Sequence, residues 1–185
     1  MTKQSRIYPM VLTAVLLALG MVLPFLTGQI PTIGQAISPL HIPVFICGLT
    51  CGWGWGAALG IVLPLLRSVV FGMPPLVPVA VPMAFELAVY GAACGLLYPL
   101  LRGRLPWKNH LPAMLLALVI AMVAGRLVGG AAKAVVMGIT GGTYTFSAFL
   151  TGYFVSTAIG ALIHVILVPA VVLALERAKL SPLGK

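Results

Sequence analysis

The sequence predicts an all-α integral membrane protein of six transmembrane helices, with both termini on the cytoplasmic side. Three observations carry this expectation. Of 185 residues, 61% are hydrophobic and only 7% charged, against roughly a quarter charged in soluble domains. The apolar runs are long and unbroken, without the alternation of apolar and polar residues that barrel strands need, so helices are left as the way to satisfy backbone polar groups in lipid. Lys and Arg gather at a few places between those runs. At about 20 residues per crossing, the chain has room for about six spans and no soluble domain of any size.

The first helix is expected over residues 8–26. It follows Lys3 and Arg6 as a secretory signal would, but Pro24, Phe25 and Leu26 occupy the place of a small-residue cleavage site, so it reads as a mature helix. A polar, uncharged connection rich in Gly, Pro and Gln covers residues 27–40. The stretch 41–71 has two readings. Gly48, Gly52, Gly56 and Gly60 recur every four residues, as on the close-packing face of one continuous helix; Gly52-Trp53-Gly54-Trp55-Gly56 also suits an interfacial turn with aromatic anchors.

Charge placement decides between them. Lys3 and Arg6 precede the first helix, Arg102, Arg104 and Lys108 follow the fourth apolar run, and Arg177, Lys179 and Lys185 end the chain. Positive residues favour the cytoplasm, so each pair of clusters needs an even number of crossings between them. Splitting 41–71 into helices at 39–51 and 57–71 gives that parity. Both are short for a bilayer, which implies tilt, local thinning or embedding in protein. Helices at 79–101, 111–138 and 146–175 complete one six-helix domain over 1–185. The three external connections contain no Lys, Arg, Asp or Glu.

An ionisable side chain at the centre of a span costs about 2.5–3.5 kcal/mol on insertion scales, so it needs a partner or a wet cavity. Arg67, Glu86, Arg126 and Lys133 all fall inside spans and in the outer half, where they are expected to line one externally open cavity. Arg67 and Glu86 lie at similar depth and suit pairing; Arg126 and Lys133, seven apart, share a helix face. With so few acids, the cavity reads as positive and suits a ligand with a carboxylate, phosphate or several carbonyl acceptors. Gln29, Gln35, His41, Thr143 and Tyr144 lie near the same outer surface and suit a lid, or serve as ordinary loop residues. His164 reads as a hydrogen-bonded core histidine. Ala14 and Ala18 form a small-residue stripe that admits a neighbouring helix, from this chain or another.

Other function classes find little support. The charge of +9 is scattered among apolar runs rather than clustered on a solvated face, unlike a nucleic-acid binder. Cys47, Cys51 and Cys94 lie in apolar stretches and read as buried thiols, with no metal-site spacing. There is no H-E-x-x-H, G-x-S-x-G, phosphate-binding loop or pair of intramembrane aspartates. No enzyme, cofactor or metal is implied, and any ATP dependence belongs to another polypeptide.

The order of features resembles the substrate-binding S component of energy-coupling factor (ECF) vitamin transporters. The resemblance rests on a Lys/Arg-led first helix with Ala14-x-x-x-Ala18, on Ser38-Pro39-Leu40-His41-Ile42-Pro43, and on Cys47-Gly48 with Gly52-Trp53-Gly54-Trp55-Gly56. It extends through Leu63-Pro64-Leu65-Leu66-Arg67-Ser68, Phe71-Gly72-Met73-Pro74-Pro75, Met83-Ala84-Phe85-Glu86-Leu87 and Tyr90-Gly91. It spans essentially the whole chain and is looser in the last two helices. The resemblance implies a six-helix subunit in a prokaryotic plasma membrane that binds one vitamin or precursor in its external half. Its partners would be a transmembrane T component and two cytoplasmic ATPases. By the same resemblance Ala14 and Ala18 meet the T component, and loops near Gln35, Met73 and Tyr144 cap the site. No signature names the substrate: pantothenate, folate-like compounds, pyridoxine, cobalamin and queuosine precursors all stay open. Two other classes compete: a self-sufficient ion-coupled carrier with Glu86 as a proton site beside Arg67, and a small intramembrane enzyme acting on a lipid.

Overall fold

Helical backbone accounts for nearly all of the computed structural model, which describes residues 4–26, 37–104 and 110–178. The expected roles of Gln29, Gln35, Lys3, Lys108, Lys179 and Lys185 fall outside those residues.

Helix α1 runs Gln4–Leu26, α2 His41–Cys51, α3 Trp53–Phe71, α4 Val81–Arg104, α5 Leu111–Ile139 and α6 Phe146–Arg177. An irregular turn, Leu76–Ala80, leads into α4. Within α6 a π-helical segment, Thr151–Val155, interrupts the α-helix after Leu150. Hydroxyls inside the spans bond back to their own helix: Thr13 Oγ1 donates to the Pro9 carbonyl at 2.7 Å and Thr50 Oγ1 to that of Ile46 at 2.6 Å, which removes a desolvation cost.

Five helical segments are long and apolar enough to cross a membrane. The eleven residues of α2 rise only about 16 Å at 1.5 Å per residue, about half a hydrocarbon core, and every one of them is buried in the described protein. Embedding in protein, rather than in lipid, therefore accounts for its shortness.

The break between α2 and α3 is a single residue. Gly52 has φ 97°, which an L side chain rarely adopts, and its N–H bonds the Gly48 carbonyl at 3.2 Å. The expected five-residue turn is thus too long, because Trp53 to Gly56 already form the first turn of α3. The chain folds back sharply: a Cβ on Gly56 would lie 2.8 Å from the Gly48 Cα, and Gly91 of α4 sits against both glycines. Three helix backbones meet here because none of these residues has a side chain, the packing that small residues permit in lipid.

Contacts between helices fix their directions. Gly20 meets Leu63 and Phe25 meets Phe71, so α1 and α3 run parallel. Gly60 meets Leu87, Gly56 meets Gly91 and Gly95 meets Trp53, so α4 opposes α3. Gly129 meets Glu86 and Gly125 meets Tyr90, so α5 opposes α4. Tyr153 lies near Glu86 and Tyr98 bonds Glu176 at 3.1 Å, so α6 runs with α4. Consequently the start of α1, the Gly52 turn, Arg102 and Arg104 at the end of α4, and Arg177 at the end of α6 share one end of the bundle. No Lys, Arg, Asp or Glu occurs among the described connecting residues at the other end, 37–40, 72–80 and 140–145.

Candidate functional site

In the half of the bundle opposite the basic end, α2, α4, α5 and α6 line a small crevice with room for about one water molecule. Its polar walls are Ser38 and His41 at the start of α2, Glu86 and Tyr90 on α4, Arg126 on α5, and Thr157 and His164 on α6. Phe45 and Met122 supply the apolar floor.

Glu86 points here because of its angular position. Leu87 faces Gly60 of α3, so its neighbour Glu86, a hundred degrees round the helix, faces α5, where its Cβ and Cγ pack on Gly129. Glu86 Oε1 accepts a 2.5 Å hydrogen bond from the Tyr90 hydroxyl and lies 3.7 Å from His41 Nε2. That His41–Glu86 contact is the one ion pair, conditional on a protonated imidazole, among the described residues.

The two histidines share an anchor. His41 Nδ1 lies 3.1 Å and His164 Nε2 3.2 Å from the Ser38 carbonyl oxygen. A carbonyl oxygen only accepts, so both nitrogens carry their protons. The rings stack with centroids 5.6 Å apart, and Phe45 packs on both Tyr90 and His164.

Arg126 lies beside the Tyr90 hydroxyl and over the Phe154 ring, 5.4 Å from its centroid. It lines the same pocket as Glu86 without pairing with it. The described lining therefore carries one carboxylate, one guanidinium and two imidazoles.

Three expected contributors sit elsewhere. Arg67 is buried at 2% exposure, but against α1: its guanidinium donates to the Met21 carbonyl and lies 5.0 and 5.1 Å from the ring centroids of Phe25 and Phe71. The expected Arg67–Glu86 pairing is not made, because similar depth fixes height in the bundle and not which neighbour a side chain faces. Lys133 stands over the Tyr144 ring at 5.8 Å, outside the pocket lining, and the Tyr144 hydroxyl is buried with no hydrogen-bond partner. Ala14 and Ala18 are exposed on α1. Among the described residues no three His, Cys, Asp or Glu side chains converge as a metal site.

Sequence reasoning missed Ser38, Phe45, Tyr90, Met122 and Thr157, and it separated His164 from the site. His164 is hydrogen-bonded and buried, as a core histidine should be, yet it is also a pocket wall. Its polarity in an otherwise apolar run was the available signal.

A family model described as "ECF transporter, substrate-specific component" matches residues 9–172. No curated protein and no solved structure matches the chain.

Proposed function

The chain belongs to the substrate-specific components of ECF transporters, and from that premise we propose that it captures one vitamin-like small molecule in the pocket between α2, α4, α5 and α6. The observation that carries the proposal is an acid, Glu86, and a base, Arg126, lining one small pocket inside the spans, joined only through the Tyr90 hydroxyl. Ionisable side chains inside a span mark functional sites by default.

The pocket lies in the half away from Arg102, Arg104 and Arg177. If the basic end is cytoplasmic, as the positive-inside tendency supports, the site faces the exterior of a prokaryotic cell membrane. Glu86, Tyr90 and Arg126 orient the ligand, the aromatic rings exclude water, and Tyr144 with Lys133 lies toward the mouth. Delivery inward falls to a T component and two ATPases, because this chain carries no phosphate-binding loop. Exposed Ala14 and Ala18 on α1 suit contact with the T component. A proton-carrier role for Glu86 beside Arg67 loses its motivation, since Arg67 faces α1.

The test is native mass spectrometry of the protein purified in mild detergent. One small molecule per chain is expected, with loss of that molecule in Arg126→Ala. Equal retention in the wild type and Arg126→Ala removes this pocket from the proposal.

A further inference from the structure

The crevice as it stands admits about one water molecule, so capture of anything larger requires a wall to move. Resting on the capture reading above, we infer that the moving wall is the outer segment of α6, residues 146–155, which swings as one piece about Ser156 and Thr157 and uncovers Glu86 and Arg126.

The other walls are fixed. Every residue of α2 is buried. Helix α4 is held to α3 by backbone contact, Gly91 on Gly56 and Gly95 on Trp53, and α5 to α4 where Gly125 lies against the Glu86 carbonyl. Close-packed backbone of this kind has no rotamer through which to give way. The inner part of α6 is fixed as well: His164 reaches the Ser38 carbonyl, Val168 and Val172 are fully buried, and Tyr98 bonds Glu176.

The outer part differs in each respect. No residue from 146 to 159 is buried, and Phe146 and Val155 are 73% and 69% exposed. Few buried contacts make local displacement inexpensive. The backbone is also broken: Thr151–Val155 is π-helical, Ser156 and Thr157 form a turn, and Thr157 has φ −105° and ψ 8°. Such irregularity within a helix accompanies hinges at functional sites. Thr157 Oγ1 donates to the Tyr153 carbonyl at 2.6 Å, which satisfies one carbonyl at the break, and Thr157 itself lines the crevice.

The rings of this segment close the crevice. Phe154 lies over the Arg126 guanidinium, the Tyr153 ring shares the surface of Gly129 with the Glu86 side chain, and the edge of Phe149 fills the place a Cβ on Gly130 would take. Phe149 also packs on Phe146, Tyr153 and Phe154, so the segment holds together when it leaves α5. Its seats on α5 are two glycines, which offer no side chain to interlock with it.

Spin-label distances in the full chain, embedded in nanodiscs, test the hinge without any ligand. Leu150→Cys with Val69→Cys reports the outer segment and Ile166→Cys with Leu96→Cys the inner one; all four positions are exposed, and the native cysteines are buried. The outer pair is expected to show a second, longer population. That population should grow in Gly130→Val, which displaces Phe149, and in Phe149→Ala, which unseats the segment without adding bulk. The inner pair should keep one distance throughout. A single outer distance unchanged in both variants, or equal shifts at both pairs, overturns the inference.

A second arm ties the segment down. Gly130→Cys with Phe149→Cys brings two Cβ atoms close to disulfide reach. The molecule retained on purification, followed by native mass spectrometry, should leave the oxidised double variant at least about tenfold more slowly than the reduced one. Equal release overturns the inference. Retention of no molecule by the wild type or by either form defeats the capture reading instead, and the two distance pairs then still decide whether the segment moves.

Discussion

His41 and His164, on different helices, both direct a ring nitrogen at the carbonyl oxygen of Ser38, at 3.1 and 3.2 Å. The His41 backbone N–H reaches the same oxygen at 3.1 Å. Ser38 holds φ 49°, a left-handed value uncommon for serine. Three donors on one carbonyl tie α6 to the start of α2 and hold the histidine wall of the pocket in place. His164→Ala should lower stability by about 0.5–1.5 kcal/mol, the net worth of one hydrogen bond, because two His41 donors still satisfy the Ser38 carbonyl. It should also weaken ligand binding, and His164→Gln should recover part of both. Thermal unfolding in detergent and a binding titration on the same samples check this.

The glycine contact at Gly48, Gly56 and Gly91 makes a second prediction. A side chain at Gly91 meets the Gly56 backbone, which has no rotamer through which to give way. Gly91→Val should cost at least the ~1–3 kcal/mol typical of overpacking. Gly103→Ala, with open space around the new methyl, should leave the melting temperature unchanged.

Arg67 should act on stability rather than on affinity. Arg67→Met removes the bond to the Met21 carbonyl and two ring contacts, each worth about 0.5–2 kcal/mol by the general range for cation–π pairs. A lower melting temperature with unchanged ligand affinity is expected. Loss of affinity at an unchanged melting temperature would instead place Arg67 in the site.

Ala14→Trp and Ala18→Trp should abolish uptake while leaving ligand binding intact. Both residues are exposed on α1, remote from the pocket lining, so added bulk blocks only the approach of another helix. Parallel binding and uptake assays separate the two effects.

Much of the fold was legible because lipid simplifies the choice. Apolar length predicted the spans, and the placement of Lys and Arg predicted the reversal at Gly52 and the gathering of basic ends on one side. Boundaries suffered where one residue does what several usually do: the Gly-Trp stretch reads as a turn, yet only Gly52 is needed for it. The site was legible in part. Glu86, Arg126 and His41 stood out as polar groups in or beside apolar runs. Ser38, Tyr90, Thr157 and His164 join them only through packing of four helices, and sequence spacing carries no information about which neighbour a helix face meets. For the same reason Arg67 and Glu86, similar in depth, face α1 and α5.

Reconstitution into liposomes tests the central claim, capture without autonomous transport, most directly. The purified chain alone should bind its co-purified ligand at one per chain and accumulate none of it inside the vesicles, with or without an ion gradient. Accumulation should begin only when a T component and ATPase subunits with ATP are added. Gradient-driven accumulation by this chain alone would contradict the account.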